Sequence, residues 1–295
     1  MVSEQTYKNF EVVVVDDGSQ DETAEILSSY TDNRLRFVPK EHSGAPKTRN
    51  RCIDEARGEY LLWLDSDDVL LPGAIEAHVA ALKATPDANV FYGNVILCDQ
   101  DLVEQEVGLR ADWYGLKKEL TAGMFEGDCI PNPGTMVHSS LYKRFGGYNE
   151  SFPRAHDYEF WCRVLKAASF KHVGTELVKY RLHGSNISGD LAGKDTSYEA
   201  KIIQSLVERY SLEQLFPDID WFNLPPEWSE SMACLRISQK LYHWQDLEGA
   251  LKYIEKSHRL LPSPEGAANI AEMEKAFTAV STGSRETKII RAVSA

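Results

Sequence analysis

The chain has 295 residues and a formal net charge of −13. This acidic balance argues against a nucleic-acid partner or a strongly anionic surface, because such polyanions would repel the protein. The five cysteines are scattered without a Cys-x-x-Cys pair, which indicates a reducing compartment and no zinc site. No apolar run reaches membrane-spanning length, and the first residues lack a signal-peptide pattern. The sequence therefore predicts a soluble, cytoplasmic protein of about two domains.

The first elements alternate between strands and helices. The β-branched stretch 10–15 predicts a strand that ends in a turn, and apolar residues at helical spacing follow at 24–30, where they would face the sheet. A second strand is predicted at 35–38 and a helix at 47–56, which Gly58 ends. This alternation is typical of an α/β domain with parallel strand pairing.

An apolar run at 60–64 leads directly into Asp65-Ser66-Asp67-Asp68. The run is short enough for a strand that is buried on both faces. Carboxylates this close repel one another unless a cation lies among their oxygens, and hard divalent ions prefer oxygen ligands. Ligands of open α/β sheets also bind just beyond the carboxyl ends of the strands. A metal site is therefore favoured over a solvated acidic turn.

The remaining sequence predicts one more α/β segment and then a helical region. The predicted elements are a helix at 73–84, strands at 89–97 and 135–138, a helix from 139 to the glycine pair 146–147, a helix at 157–168, and strands at 170–172 and 177–182. No structure is assigned to 99–126. A stretch rich in Gly and Ser marks the boundary between domains 1–190 and 191–295.

The second domain has amphipathic helical spacing, as at Ile202, Leu206 and Tyr210, and a tail from residue 281 that should fray. Its helices could form a cap packed on the α/β domain or a surface that binds a protein partner.

Each of the other candidate site residues, taken alone, indicates a functional role only weakly. Asp16 and Asp17 could accept hydrogen bonds from a nucleobase or ribose, or could bond only their own turn. Arg49 could meet a phosphate or be an ordinary exposed arginine. Asp157 opens a helix, where capping is the default role, and a lone histidine such as His183 is more often structural than a ligand.

Together and in this order, these segments resemble family 2 inverting glycosyltransferases of the GT-A fold. The resemblance covers about residues 5–188 and is carried by several motifs at similar spacing. They are Val15-Asp16-Asp17-Gly18-Ser19, Gly44 with Arg49-Asn50, Leu64-Asp65-Ser66-Asp67-Asp68, Gly146-Gly147-Tyr148, His156-Asp157-Tyr158-Glu159 with Arg163, and Tyr180-Arg181-Leu182-His183.

The resemblance implies a role for each motif. The residues implied in binding the donor, a UDP- or dTDP-sugar, are Asp16, Asp17, Gly18, Ser19, Gly44, Arg49, Asn50, Asp65 and Ser66. Those implied in holding Mn²⁺ or Mg²⁺ are Asp67, Asp65 and His183. Asp157 would be the catalytic base that activates a hydroxyl of a saccharide or lipid-linked acceptor. The implied setting is synthesis of cell-surface polysaccharide or glycoconjugate, in the cytoplasm or at the inner face of the membrane.

One departure from the family concerns its first strand, which usually ends in a Pro-Thr-Tyr-Asn-like turn and is followed by a helix. Met1 falls near the end of that helix, so we expect a mostly parallel GT-A sheet that lacks its first strand. That strand would lie between strands 12–15 and 61–64, both of which are apolar on both faces. The two strands should then either pair directly or leave open edges.

Two other functions fit parts of the sequence. Asp65-Ser66-Asp67-Asp68-Val69 satisfies the DxDx(T/V) pattern of aspartate phosphotransferases, with Asp65 as the nucleophile. In those enzymes, however, the motif usually opens the catalytic domain, and no later GDxxxD-like motif occurs in this sequence. The third hypothesis is a non-catalytic, glycosyltransferase-like scaffold for the helical region.

Overall fold

The computed structural model describes residues 5–105, 117–184 and 195–281. The chain divides into a first unit, Met1–Lys194, and a second unit, Asp195–Ala295. Within the described ranges, no helix combines the length and the apolar character that crossing a membrane requires.

The first unit alternates strands and helices. Its strands are β1 (Val12–Asp16), β2 (Leu35–Pro39), β3 (Tyr60–Leu62), β4 (Val69–Leu70), β5 (Val90–Cys98), β6 (Met136–His138) and β7 (Phe170–Arg181). Its helices are α1 (Thr23–Ser29), α2 (Ala45–Glu55), α3 (Ala74–Ala84), α4 (Lys117–Glu126), α5 (Ser139–Phe145) and α6 (His156–Val164). The sequence did not predict β4 or α4. The two strands predicted at 170–172 and 177–182 are one strand, β7, whose pairing with β5 shifts register near Gly174, a residue with φ of 88°.

The strands form two sheets. β1 and β2 are a parallel pair, and the other five strands of the described chain have the order β3-β6-β5-β7-β4. In this larger sheet β5 and β7 are parallel, whereas β6 runs antiparallel to both β3 and β5, and β4 runs antiparallel to β7. The predicted α/β class is confirmed, but the prediction of a mostly parallel sheet is wrong. β6 enters this sheet in the direction opposite to both of its neighbours, β3 and β5.

Among the described strands, β1 pairs only with β2 and β3 only with β6, so each keeps one edge without a strand neighbour. Among the described residues no pairing joins them, so of the two expected outcomes the structure has the open edges. Their side chains are mostly half-buried, and the prediction that both strands are buried on both faces is wrong. The apolar residues on both faces therefore predicted the positions of the two strands correctly, but the burial of their side chains is lower than that pattern predicted.

Helix α1 is also less buried than its sequence indicates. It has seven residues, none of them buried, and the side chains of Ile26 and Tyr30 are 52% and 60% exposed. Two turns of helix offer little surface for packing, so Ile26 and Tyr30 stay mostly exposed, and Leu27 is only half-buried.

An aromatic cluster supports the end of β3 and the start of α6. The indole of Trp63 donates a hydrogen bond of 2.8 Å to the hydroxyl of Tyr142, whose ring stacks on Phe160 at 4.8 Å between centroids. Tyr148 packs edge-on against Trp63 and against His156. Rigid, buried rings at this point fix the direction in which the loop after β3 and the first turn of α6 leave the core.

His78 on α3 is fully buried and donates from Nε2 to the carbonyl oxygen of Gly134 at 2.9 Å. Burial lowers the pKa of His78 to about 4, from an ordinary value of 6.5. The unfolded chain therefore binds a proton at higher pH than the folded chain does. Stability should be lost as the pH falls from about 6.5 toward 4, by at most roughly 3 kcal/mol. Denaturant titrations across this pH range should show a shallower pH dependence in His78→Gln, and an unchanged slope would contradict the assignment.

The second unit is helical, with α7 (Ser197–Arg209), α8 (Leu212–Leu215), α9 (Pro226–His243), α10 (Leu247–Leu260) and α11 (Pro264–Ser281). The predicted apolar face of α7 is buried at Ile202 and Leu206. Helices α9 and α10 pack closely, and the hydroxyl of Ser238 donates to the carbonyl oxygen of Ala250 at 2.7 Å. The tail predicted to fray lies almost wholly outside the described residues.

Candidate active site

Arg49 joins three separate segments of the first unit. It lies on α2, its Nη2 is 2.6 Å from Oδ1 of Asp65 in the loop after β3, and its Nη1 hydrogen-bonds Nε2 of His156 at the start of α6. Burial opposes the charge of Arg49, but the negative charge of Asp65, with Tyr148 and Asp157, outweighs it and raises the pKa of the guanidinium. Arg49 is therefore a half-buried cation held between two predicted site segments.

The contact with Arg49 determines the protonation state of the His156 imidazole. An arginine can only donate, so Nε2 of His156 accepts and the imidazole is neutral. Burial lowers the pKa of His156, and the neighbouring charge of Asp157 opposes this only in part. A neutral ring here is compatible with the adjacent guanidinium, whereas an imidazolium would repel it.

Asp157 lies in the first turn of α6, half-buried, with Oδ1 accepting from the backbone N–H of Tyr158 at 3.0 Å. The helix N-terminus favours a negative charge at this position. Asp128, whose side chain is exposed, lies close enough to Asp157 for the two carboxylates to interact electrostatically. A half-buried carboxylate at this position has the access to solvent that proton transfer to it requires.

The second half of the Asp65-Ser66-Asp67-Asp68 loop is tied to the end of β7. Asp68 accepts from the backbone N–H of Arg181 at 2.9 Å, and Nε of Arg181 donates to the carbonyl oxygen of Asp67 at 2.8 Å. The side chain of Asp67 faces His183, with Oδ2 and Nε2 separated by 2.9 Å. Residues more than 100 positions apart in sequence therefore meet at one loop.

The carboxyl group of Asp68 is buried in this loop close to two other carboxylates. It is 7% exposed, and its Oδ2 is buried with no hydrogen-bond partner within the described ranges. Burial, followed by the charges of Asp67 and Asp65, raises the pKa of Asp68 to about 7. The loop thus carries negative charge that its protein neighbours do not fully compensate, as expected where a cation binds.

The predicted metal ligands are only partly brought together. Asp67 and His183 are in contact, whereas the carboxylate of Asp65 is bound to Arg49. Within the part of the chain that the structure describes, no group of three or more acidic, His or Cys side chains is placed to hold an ion. A metal held by Asp67 and His183 would need its remaining ligands from substrate and water.

The predicted base-binding residues form a network that is centred on Asp17. This carboxylate accepts from the backbone N–H groups of Ser43 and Gly44, both at 2.9 Å, and pairs with Lys40. Burial opposes the charge of Asp17, but Lys40 and these N–H groups outweigh it and lower its pKa. The network joins the turn after β1 to the start of α2, which Gly44 opens with φ of 91°.

Asp16 closes its own turn. Its Oδ1 accepts from the backbone N–H of Ser19 at 3.1 Å and from the hydroxyl of Ser19 at 2.5 Å, with Gly18 between them at φ of 81°. These contacts are the turn interactions that the sequence offered as the alternative to nucleotide binding. Donor contact by Asp16 and Asp17 stays a prediction.

Asn50 holds the turn before α6. Its Oδ1 accepts from the backbone N–H of Tyr148 at 2.7 Å, and its Nδ2 donates to the carbonyl oxygen of Tyr148 at 3.0 Å. Both ends of the amide are therefore used within the protein. The predicted role of Asn50 in donor binding stays a prediction, as does that of Ser66, which is exposed in its turn.

Gly147→Ala should break this clamp. A Cβ at Gly147 would lie 2.2 Å from Oδ1 of Asn50, so the amide or the backbone must move. We expect a loss of about 1–3 kcal/mol, or about 2–4 °C in Tm for each kcal/mol. Gly184→Ala is the matched control, because nothing lies within 4 Å of its Cβ position. Equal melting curves for the two variants would contradict the role of the clamp.

Three residues at this site had no role predicted from the sequence. His156 and Arg181 stood inside quoted motifs, but nothing in their local sequence indicated that His156 contacts Arg49 or that Arg181 contacts the carbonyl oxygen of Asp67 and the carboxylate of Asp68. Asp128 had no signal, since it follows a segment without assigned structure. Its proximity to Asp157 depends on the fold alone.

Comparisons with known proteins agree on one family. A family model described as Glycosyl transferase family 2 matches residues 2–174. An uncharacterized glycosyltransferase of Rickettsia typhi is 30% identical over 202 residues, which are 66% of this chain and 62% of that protein. Chondroitin synthase of Escherichia coli is 26% identical over 216 residues, 71% of this chain and 30% of that protein. The chain thus spans less than two thirds of either relative.

Solved structures agree on the fold. S. aureus TarS 1-349 in complex with UDP-GlcNAc has a TM-score of 0.63 at 15% identity, covering 98% of this chain and 88% of that chain. A second crystal structure of S. aureus TarS 1-349 has a TM-score of 0.55 at 16% identity. These likenesses confirm the predicted GT-A fold. Because the family model covers more than half of the sequence, the chain belongs to glycosyl transferase family 2.

Proposed function

We propose that this chain is a metal-dependent, inverting glycosyltransferase, and that it moves a sugar from a nucleotide-diphosphate sugar to a hydroxyl of a saccharide or lipid-linked acceptor. One observation carries the proposal. The loop from Asp65 to Asp68 lies between the proposed general base and the proposed metal ligands. At one end Asp65 binds Arg49, which lies beside His156 and Asp157, and at the other end Asp67 contacts His183.

The residues on the Asp67 side fit a divalent cation. Asp67 and His183 offer an oxygen and a nitrogen ligand, and burial together with the charges of Asp67 and Asp65 disfavours the charged form of the Asp68 carboxyl. Mn²⁺ or Mg²⁺ held there would offset the negative charge that grows on the departing diphosphate. Arg181 keeps the loop in place through its backbone contacts, so the two ligands stay together.

The residues on the Asp157 side fit a general base. Asp157 would take the proton of the acceptor hydroxyl as that oxygen attacks the anomeric carbon from the face opposite the diphosphate. A single displacement of this kind inverts the anomeric configuration and needs no covalent nucleophile. Arg49, Asp65 and the neutral His156 would hold this part of the site in position and supply fixed positive charge near the donor phosphates.

A UDP-sugar is the first donor to test, with a dTDP-sugar as the second. S. aureus TarS was solved with UDP-GlcNAc, and the turn around Asp16 and Asp17 is the proposed place for the base and ribose. The setting that we propose is synthesis of cell-surface polysaccharide or glycoconjugate, in the cytoplasm or at the inner face of the membrane.

Family membership favours this function over a phosphotransferase. A phosphotransferase would need Asp65 as a nucleophile, but its Oδ1 is 2.6 Å from the guanidinium of Arg49. A non-catalytic scaffold would bind a donor without turning it over, which the same assay can detect.

The test is transfer from UDP- and dTDP-sugars to saccharide acceptors with Mn²⁺, with Mg²⁺ and with EDTA, followed by NMR of the product anomer. We expect release of nucleoside diphosphate that depends on the metal, and a product of inverted configuration. Retained configuration, or full activity in EDTA, would contradict the proposed mechanism. Donor binding without turnover would support the scaffold instead.

A further inference from the structure

A buried histidine lies directly beside the proposed base. His156 is the first residue of α6 and is 3% exposed, whereas the next residue, Asp157, is half-buried. The chain enters the helix through Ala155 at φ of 54°, a left-handed conformation that a residue with a Cβ seldom adopts. Such strained backbone persists only where the surrounding structure holds it, and it is concentrated at functional sites. The buried position of His156 therefore calls for a role of its own.

Two partners hold His156 in one orientation. Its Nε2 accepts a hydrogen bond from Nη1 of Arg49, and its ring packs edge-on against Tyr148 at 5.4 Å between centroids. The guanidinium of Arg49 lies 5.9 Å from the centre of the same Tyr148 ring. The other end of the guanidinium, Nη2, is 2.6 Å from Oδ1 of Asp65. An arginine that kept only its contact with Asp65 could turn about that contact, so His156 fixes the direction of Arg49.

The ring of His156 has to be neutral to hold Arg49. The titratable and charged groups around it are Arg49, Asp65, Asp157 and the phenol of Tyr148. Because Nε2 accepts, the proton of the neutral ring lies on Nδ1. A protonated ring would repel Arg49, and a carboxylate in its place would add a second negative charge to that of Asp65. A neutral acceptor holds Arg49 and leaves its pair with Asp65 without net charge, which suits an anionic ligand.

We propose that His156 is a positioning residue for the sugar donor and acts through Arg49. Its neutral Nε2 holds the guanidinium against Asp65, so that the donor meets a cation and a carboxylate that are already oriented. This role rests on the proposed function, in which Arg49 and Asp65 bind the nucleotide-diphosphate sugar. His156 has a part in donor affinity and none in the proton transfer at Asp157. Loss of the contact should therefore raise the donor KM and leave kcat largely unchanged.

The first experiment compares two replacements of His156 that have nearly equal size. His156→Gln places an amide oxygen near the position of Nε2 and can still accept from Arg49, whereas His156→Met cannot. Calorimetry with a UDP-sugar should show donor affinity lowered about 10–100-fold in His156→Met, the usual effect of losing a hydrogen bond to a charged group. His156→Gln should bind the donor nearly as well as the wild-type chain.

His172→Met is the matched control. The Nε2 atom of His172 lies 3.0 Å from Oδ1 of Asn94 near the start of β7, so its loss removes a similar contact elsewhere in the same unit. This variant should leave donor affinity unchanged, and melting curves confirm that all three variants are folded. A purely structural role would lower stability without separating His156→Gln from His156→Met in donor affinity. Equal donor affinity in these two variants, or a loss confined to kcat, would overturn the proposal.

The second experiment tests whether His156 acts through Arg49. Arg49→Lys keeps the charge but removes the guanidinium fork, so one ammonium replaces the two nitrogen atoms that reach Asp65 and His156. In that background, His156→Met should weaken donor binding much less than it does in the wild-type chain, because the contact is already absent. Losses of affinity that simply add would contradict a shared action of the two residues.

The third experiment needs no donor. The chain has eight histidines, and His156→Gln identifies the NMR signal of His156 by its absence. The pKa of His156 should lie below its ordinary value of 6.5 and should rise in Arg49→Met, because the positive charge beside Nε2 is gone. An unchanged pKa would overturn the pairing, and a wild-type chain that binds neither a UDP- nor a dTDP-sugar would overturn the role in donor binding. Absence of sugar transfer would contradict the proposed function alone, since donor binding and the titration decide the role of His156 without turnover.

Discussion

Asp157→Asn should retain donor binding and lose about 10²–10⁴-fold in the rate of sugar transfer, the usual contribution of a positioned general base. Asparagine is nearly isosteric, and its side-chain oxygen can still accept from the backbone N–H of Tyr158 at the start of α6. What the change removes is a group that can take a proton. The expected result is a much lower kcat with an unchanged donor Kd, measured by steady-state kinetics and by calorimetry.

Glu159→Gln is the matched control, since it removes the same charge two residues along the same helix. The carboxylate of Glu159 is bound to Arg163, with contacts of 2.9 Å to Nε and 3.0 Å to Nη2. Arg163 also donates to the carbonyl oxygens of Phe145 and Gly147. Glu159 is therefore structural, and its variant should melt lower but still transfer sugar. The opposite pattern, with full transfer in Asp157→Asn and none in Glu159→Gln, would move the base to Glu159.

The candidate site could be predicted from sequence only where its parts are local. The motif Asp65-Ser66-Asp67-Asp68 is recognisable in the sequence, because several carboxylates directly follow a short apolar run. The contacts of that loop with Arg49 and His183 join positions far apart, and no periodicity encodes them. Only the resemblance to a known family indicated that these residues belong together. The clamp made by Asn50 was missed, because a structural amide and a ligand-binding amide look the same in sequence.

The fold was predictable to a similar degree. Hydrophobic periodicity indicated most helices and strands of both units, since it reports which face of an element is covered. It carries no information on the direction in which a strand enters a sheet. The mixed pairing around β6 was therefore mispredicted. The two-residue strand β4 is too short to give a periodic signal, and it exists because Val69 and Leu70 pair with β7.

Asp67→Asn should abolish the metal-dependent part of donor binding while leaving the fold intact. Its side chain is 37% exposed and contacts His183, whereas Arg181 is held by the carbonyl oxygen of Asp67, which the substitution keeps. Loss of a residue that merely supports a ligand costs roughly 10–100-fold in metal affinity, so loss of a direct ligand should cost at least as much. Calorimetry with a UDP-sugar, with and without Mn²⁺, measures the effect on the donor, and titration of Mn²⁺ alone measures the effect on the metal.

Two further variants separate a ligand role from a change in charge. Asp101→Asn removes an exposed carboxylate outside the loop and should bind donor and Mn²⁺ like the wild-type chain. His183→Ala should also weaken Mn²⁺ binding, since Nε2 of His183 lies 2.9 Å from Oδ2 of Asp67. If Asp67→Asn and His183→Ala both keep the wild-type affinity for Mn²⁺ and for the donor, this pair does not hold the metal. The charge of the loop would then be compensated by Arg49 and Arg181 alone, and transfer should persist in EDTA.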